Sequence, residues 1–137
     1  MTRRPDLSWL GRCCRVTVDR PLGSRHPRLP DVFYPVNYGF IEGTLVGDGC
    51  EIDADILDVG EPVASYCGLC VAVIDRRNED EDKLVFADRP VTEDVIRAQT
   101  EFMERHFDIE IAVLPGSGAI SILEFIQKGS ATASFLR

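Results

Sequence analysis

Residues 34–53, YPVNYGFIEGTLVGDGCEID, decide how this chain is read. The first half is aromatic and β-branched, and Pro35 allows only an edge or a kink before the strand resumes at Tyr38. The second half turns at Gly47-Asp48-Gly49 and then alternates, with Ile52, Ala54 and Ile56 on one side and Asp53, Asp55 and Leu57 on the other. A period of two predicts a strand with one wet, acidic side. An aromatic hairpin that runs into carboxylates around a glycine turn suits hard metal ions and phosphate. Mg²⁺ prefers oxygen and is typically held by one or two carboxylates together with substrate phosphates. Asp48 and Asp53 flank the turn, from which both can reach one ion.

Working outward, residues 12–18 are short, β-branched and partly alternating, and Asp19-Arg20-Pro21-Leu22-Gly23 supplies turn chemistry, so a strand enters a loop that runs to Pro30. On the other side, residues 68–77 and 83–87 pattern as a hairpin whose tip is the charge run at 78–82. Thr92 has N-cap chemistry, Glu93 and Asp94 complement the dipole of a first turn, and Val95, Gln99, Phe102, Met103 and His106 recur at helical spacing. Residues 109–114 follow as a last strand, 115–118 break it, and 119–128 predict a second, short helix ending at Gly129. Several short strands, one main helix and a short C-terminal helix make a mainly β (α+β) chain: a small β-barrel with helical decoration, in one domain over 1–137.

Composition narrows the function classes. A chain of 137 residues fits a single core. With a formal net charge of −8 and a pI near 4.7, it lacks the Lys and Arg excess by which nucleic-acid binders neutralise phosphates. No apolar run approaches the length of a membrane span. Arg3 and Arg4 are followed by Pro5 and Asp6 with no apolar core for a secretory signal, which makes the cytoplasm the expected location. Five cysteines, an odd number, then point to reduced thiols. Cys67 and Cys70 look like a metal or redox pair, but residues three apart on a strand face opposite ways, and adjacent Cys13 and Cys14 supply no second knuckle.

The run Tyr34-Pro-Val-Asn-Tyr-Gly-Phe-Ile41 followed by Asp48-Gly-Cys-Glu-Ile-Asp53 resembles the motif of the soluble (family I) inorganic pyrophosphatases, in which Tyr-Pro-x-Asn-Tyr-Gly-[Phe/Tyr]-Ile leads into Asp-Gly-Asp-Pro-x-Asp. The resemblance covers about residues 14–110, while the tail 115–137 matches nothing in it. It implies an OB-like five-stranded β-barrel and Mg²⁺-dependent hydrolysis of inorganic diphosphate to two phosphates. Mn²⁺ is an alternative ion, and a homo-oligomer is the expected assembly.

Carried over residue by residue, Asp48 matches the first motif aspartate, which bridges metals, and Asp53 the last, which holds the activating ion. Cys50 stands where the family has the aspartate that accepts the proton of the attacking water. A thiol, with a free pKa of about 8.5 and soft donor character, is a weak substitute there. Adjacent Glu51 has the reach to take over as base, and Cys50 as a merely packed thiol is the bland alternative. Tyr38 matches a phosphate-side tyrosine, and Lys83 a phosphate-contacting lysine that follows two hairpin aspartates. Asp80 or Glu81 stands for the second of these as a metal ligand, and Asn78 falls where the first would be.

The segment Val18-Asp-Arg-Pro-Leu-Gly-Ser24 is similar to the family's Glu-Ile-Pro-Lys-Gly-Ser, with Asp19 for the acid and Arg20, Arg25 or Arg28 for its phosphate-binding cations. Phe102-Met-Glu-Arg-His106-Phe107 resembles Phe-Phe-Glu-His-Tyr-Lys, where His106 would replace the tyrosine on phosphate. His26 is a further loop donor to phosphate or an exposed loop histidine. Because Cys50 replaces an aspartate, three functions stay open: a diphosphatase, a metal- and phosphate-binding protein without turnover, and a hydrolase of another phosphoanhydride.

Overall fold

The computed structural model describes residues 5–43, 51–77, 81–105 and 107–116, with the backbone alone at Glu81. A 3-10 turn at Leu7–Trp9 precedes β1 (Cys13–Arg20), β2 (Asn37–Ile41), β3 (Ile52–Ile56), β4 (Ser65–Arg76), β5 (Glu81–Ala87), α1 (Glu93–Glu104) and β6 (Ile109–Val113). The strands pair in the order β1-β2-β3-β5-β4-β6, and a further β1–β4 pairing closes the first five into the expected barrel. Only β3 and β5 run parallel.

The 12-residue strand β4 makes closure and extension compatible. Its first part pairs with β1, from Thr17↔Ser65 to Cys13↔Leu69, and its second part with β6, from Ala72↔Val113 to Arg76↔Ile109. Between the two, its register against β5 shifts at Cys70/Ala72, and such irregularities bend a strand. A close approach lies at Gly39 on β2, where a Cβ would run into the backbone carbonyl of Thr17 on β1. Only a residue without a side chain lets the two backbones meet there.

Alternation divides the apolar residues into two layers. Val16, Ile41, Ile52, Ile56, Leu84 and Phe86 fill the barrel. Leu57, Val71, Ile74 and Val85 face outward and pack with Ile96 of α1 and Leu114. Burying Ile96 contributes about 1.5–3 kcal/mol. Thr92 caps α1 as expected, its side chain accepting from the Val95 amide.

Two expectations are corrected. The acidic side of β3 is not wet: Asp55 and Leu57 are fully buried, and Asp53 is only partly exposed. Alternation reports that a strand has two faces, not what covers them. The buried stripe of α1 is Ile96, Thr100 and Glu104, whereas Val95 is 36% exposed. A stripe containing Thr and Glu does not register in apolar periodicity. The helix expected over 119–128 lies outside the described residues.

Candidate active site

A row of polar side chains crosses the outer face of the barrel: Tyr38 on β2, Asp53 and Asp55 on β3, Lys83 on β5 and Arg76 on β4. Register places them together. Tyr38 lies opposite Asp55, and Lys83 opposite Ile74, which shares a face with Arg76 two residues on. Glu104, on the last turn of α1, brings its carboxylate to the row. Arg76 Nε donates to Glu104 Oε1 at 3.0 Å and Nη2 to Oε2 at 2.9 Å, while Lys83 Nζ donates to the same Oε2 at 3.0 Å. The Arg76 guanidinium also lies 3.9 Å from the ring centroid of Phe107, a cation–π contact.

Lys83 is completely buried, its Nζ 4.6 Å from the centroid of the Tyr38 ring and 3.6 Å from Asp55 Oδ2. Buried charges persist only when paired, and the row holds two cations and three carboxyl groups. Burial acts upward on the Glu104 carboxyl, but hydrogen bonds from Arg76 and the charges of Lys83 and Arg76 outweigh it and hold Glu104 below the ordinary range. Asp55 is less well served: no hydrogen bond of ordinary length reaches either oxygen, Lys83 Nζ standing at 3.6 Å, and burial pushes its carboxyl up against the opposing pull of Lys83. Burial also raises Asp53, although the Tyr38 hydroxyl donates to it. The Tyr38 phenol is driven far up by burial, then by Asp53 and Asp55, so it remains a neutral donor.

Neighbouring contacts hold Tyr38 in place. Its ring is 5.4 Å from that of Tyr34, which in turn lies edge-on to Phe102 at 5.5 Å and stacks on His26 at 5.9 Å. Buried Asn37 accepts from the amides of Leu22 at 2.9 Å and Val63 at 3.1 Å and donates to the Glu61 carbonyl at 2.9 Å, pinning two loops beside the row.

Of the residues singled out from sequence, Tyr38, Asp53 and Lys83 come together. Arg20 stands at the end of β1, where it hydrogen-bonds to Tyr34. Arg25 is exposed, its guanidinium 5.4 Å from the Phe33 ring centroid. His26 Nδ1 accepts from the amides of Arg28 and Leu29, both at 3.1 Å, which gives it a local task in the loop. Glu51 Oε2 accepts from the Gly43 amide at 2.9 Å. Asp48, Cys50, Asp80 and His106 lie outside the described residues, as does the side chain of Glu81.

Sequence reasoning missed Asp55, Arg76 and Glu104 as site residues. The available signal was Asp55 two positions from Asp53 on the same side of a strand, and Glu104 eight positions from Ile96 on one helix face.

No family model matches the chain, and no curated protein sequence does. Solved structures do match. The structure of an inorganic pyrophosphatase from Helicobacter pylori superposes with a TM-score of 0.55 at 16% identity over 93% of this chain and 99% of that one. The fold is that of the inorganic pyrophosphatases. The pyrophosphatase from Ehrlichia chaffeensis gives a TM-score of 0.55 at 18% identity over 76% and 87% of the two chains, and that from Neisseria gonorrhoeae 0.51 at 22% over 69% and 73%.

The motif around residues 34–53 led to the expectation of a divalent metal. Among the described residues no three His, Cys, Asp or Glu converge on one point. The available donors still suit a hard ion: Asp53 offers carboxylate oxygen, and the other ligands named from sequence, Asp48, Asp80 and Glu81, are carboxylates as well. Among the described residues no helix is long and apolar enough to cross a membrane.

Proposed function

We propose that this chain hydrolyses inorganic diphosphate to two phosphates with a bound divalent ion, Mg²⁺ or Mn²⁺. The observation that carries the reading is the convergence of Tyr38, Asp53 and Lys83 on one outer face of a barrel with the pyrophosphatase fold. These are the residues whose sequence context resembles the family motif. Asp53, with Asp48 and Asp80 or Glu81, would hold the ion, which supplies charge neutralisation and an acidified water. Tyr38, neutral at all ordinary pH, would turn its one O–H from Asp53 to an anionic phosphate oxygen, and Lys83 would provide positive charge. By the same resemblance Arg20, Arg25 and His106 would add donors around the phosphates, and Cys50 or Glu51 would stand beside the nucleophilic water.

A second reading keeps the site without the turnover: a protein that binds metal and phosphate. Two observations favour it, the thiol at Cys50 and the engagement of Lys83 by Glu104 and Asp55.

Phosphate release from diphosphate, measured with Mg²⁺ and then Mn²⁺, tests both. Turnover that disappears in Asp53→Asn supports the hydrolase. A silent native chain beside an active Cys50→Asp variant, with diphosphate binding seen by calorimetry, supports the binding protein. Neither turnover nor binding sinks both, and a panel of other phosphoanhydrides is then the next assay.

A further inference from the structure

The Lys83 ammonium has three N–H donors. One reaches Glu104, and the other carboxylate it faces is Asp55, at 3.6 Å, just beyond hydrogen-bond length. Glu104 also accepts from Arg76 Nε and Nη2, so one carboxylate serves two cations. Lys83 thus shares Glu104 with Arg76 and faces Asp55 as its second anion. That carboxylate is fully buried with neither oxygen hydrogen-bonded, a costly arrangement. It stands directly across from Tyr38 on the face that carries the proposed phosphate site.

We infer that Asp55 is a positioning residue for Lys83: an internal acid, kept ionised against its burial by the ammonium it faces, that holds this ammonium over the Tyr38 ring and that an incoming phosphate must outcompete. The inference rests on the proposed reading of this face as a phosphate site. Asp55 then sets how tightly the site holds an anion. Removing its charge while keeping its shape strengthens anion binding, whereas removing a merely structural group weakens it or leaves it unchanged.

Lysine labelling reads this directly, because the chain has only two lysines, Lys83 and Lys128. The ¹⁵Nζ signals of lysine-labelled wild type and Asp55→Asn are followed while inorganic phosphate is added, first alone and then with Mg²⁺. Exposed Asp88→Asn serves as the charge control. We expect the Lys83 signal of Asp55→Asn to move at a phosphate concentration lower by about tenfold or more than in wild type and in Asp88→Asn, since about tenfold is what one unit charge a few ångströms away is worth even when screened as in bulk water. Calorimetry on Asp55→Asn with Lys83→Met should show the gain abolished. Asp55→Leu provides a second variant if the amide is not accommodated. Equal or weaker phosphate binding by folded Asp55 variants overturns the inference and leaves the proposed function standing. Binding of neither phosphate nor diphosphate by any of the chains, with or without Mg²⁺, overturns the proposed function and the inference with it.

Discussion

Arg76 on β4 and Glu104 at the end of α1 form a two-point pair, with side chains 7% and 3% exposed. The planar fork of a guanidinium matches a carboxylate only in a narrow range of orientations, so the contact fixes the last turn of α1 over the barrel. Lys83 on the next strand shares the same carboxylate. One glutamate therefore ties the helix to both strands of the hairpin and orders the row in which Tyr38 and Asp53 stand.

Glu104→Gln leaves two buried cations short of an anion. Breaking one partner of a buried ion pair costs about 3–5 kcal/mol. Urea unfolding should show a lower midpoint with an unchanged slope, and a midpoint equal to wild type would show that Arg76 and Lys83 find other partners.

The same carboxyl sets a pH dependence. Glu104 is held below the ordinary glutamate value of 4.5, so between its folded value and 4.5 the unfolded chain binds more protons than the folded one. Its contribution is complete above about pH 4.5 and is lost as pH falls through the folded value. Asp53 and Asp55 are raised and carry the opposite sign. The difference between wild type and Glu104→Gln isolates the effect: the stability gap should narrow as pH is lowered from 5 toward 3. A gap that widens would contradict the assignment.

Gly39→Ala places a methyl group against the Thr17 carbonyl, where backbone rather than a movable side chain blocks it. Overpacking of this kind costs about 1–3 kcal/mol or more. The thermal midpoint should fall, and amide exchange should rise first along the β1–β2 ladder.

Asn37→Leu keeps the volume but strands the amides of Leu22 and Val63 and the carbonyl of Glu61. Each buried unsatisfied group costs about 1–3 kcal/mol. We expect at least about 2 kcal/mol lost in denaturant unfolding. A near-neutral result would mean that water replaces the side chain.

For the proposed reaction, Cys50→Asp should raise turnover by about 10² to 10⁴, the usual worth of a positioned proton acceptor. Steady-state phosphate release decides this. An unchanged rate beside a Glu51→Gln variant that has lost activity would assign the role to Glu51 instead.

Much of the molecule was determined locally. Alternation marked β3 and the β4–β5 hairpin, and the hydroxyl of Thr92 with its acidic followers marked the start of α1, because these features depend on neighbours within about four residues. The motif around residues 34–53 named Tyr38 and Asp53, and the hairpin named Lys83, so part of the candidate site was legible as well. Tertiary structure alone decided the rest. Arg76 and Glu104 are 28 residues apart, and Lys83 and Glu104 are 21 apart. Asp55 read as the wet side of a strand, yet it is fully buried where Tyr38 and Lys83 face it. A charge becomes a site or a liability according to the dielectric around it, and that is created only when distant segments pack and exclude water.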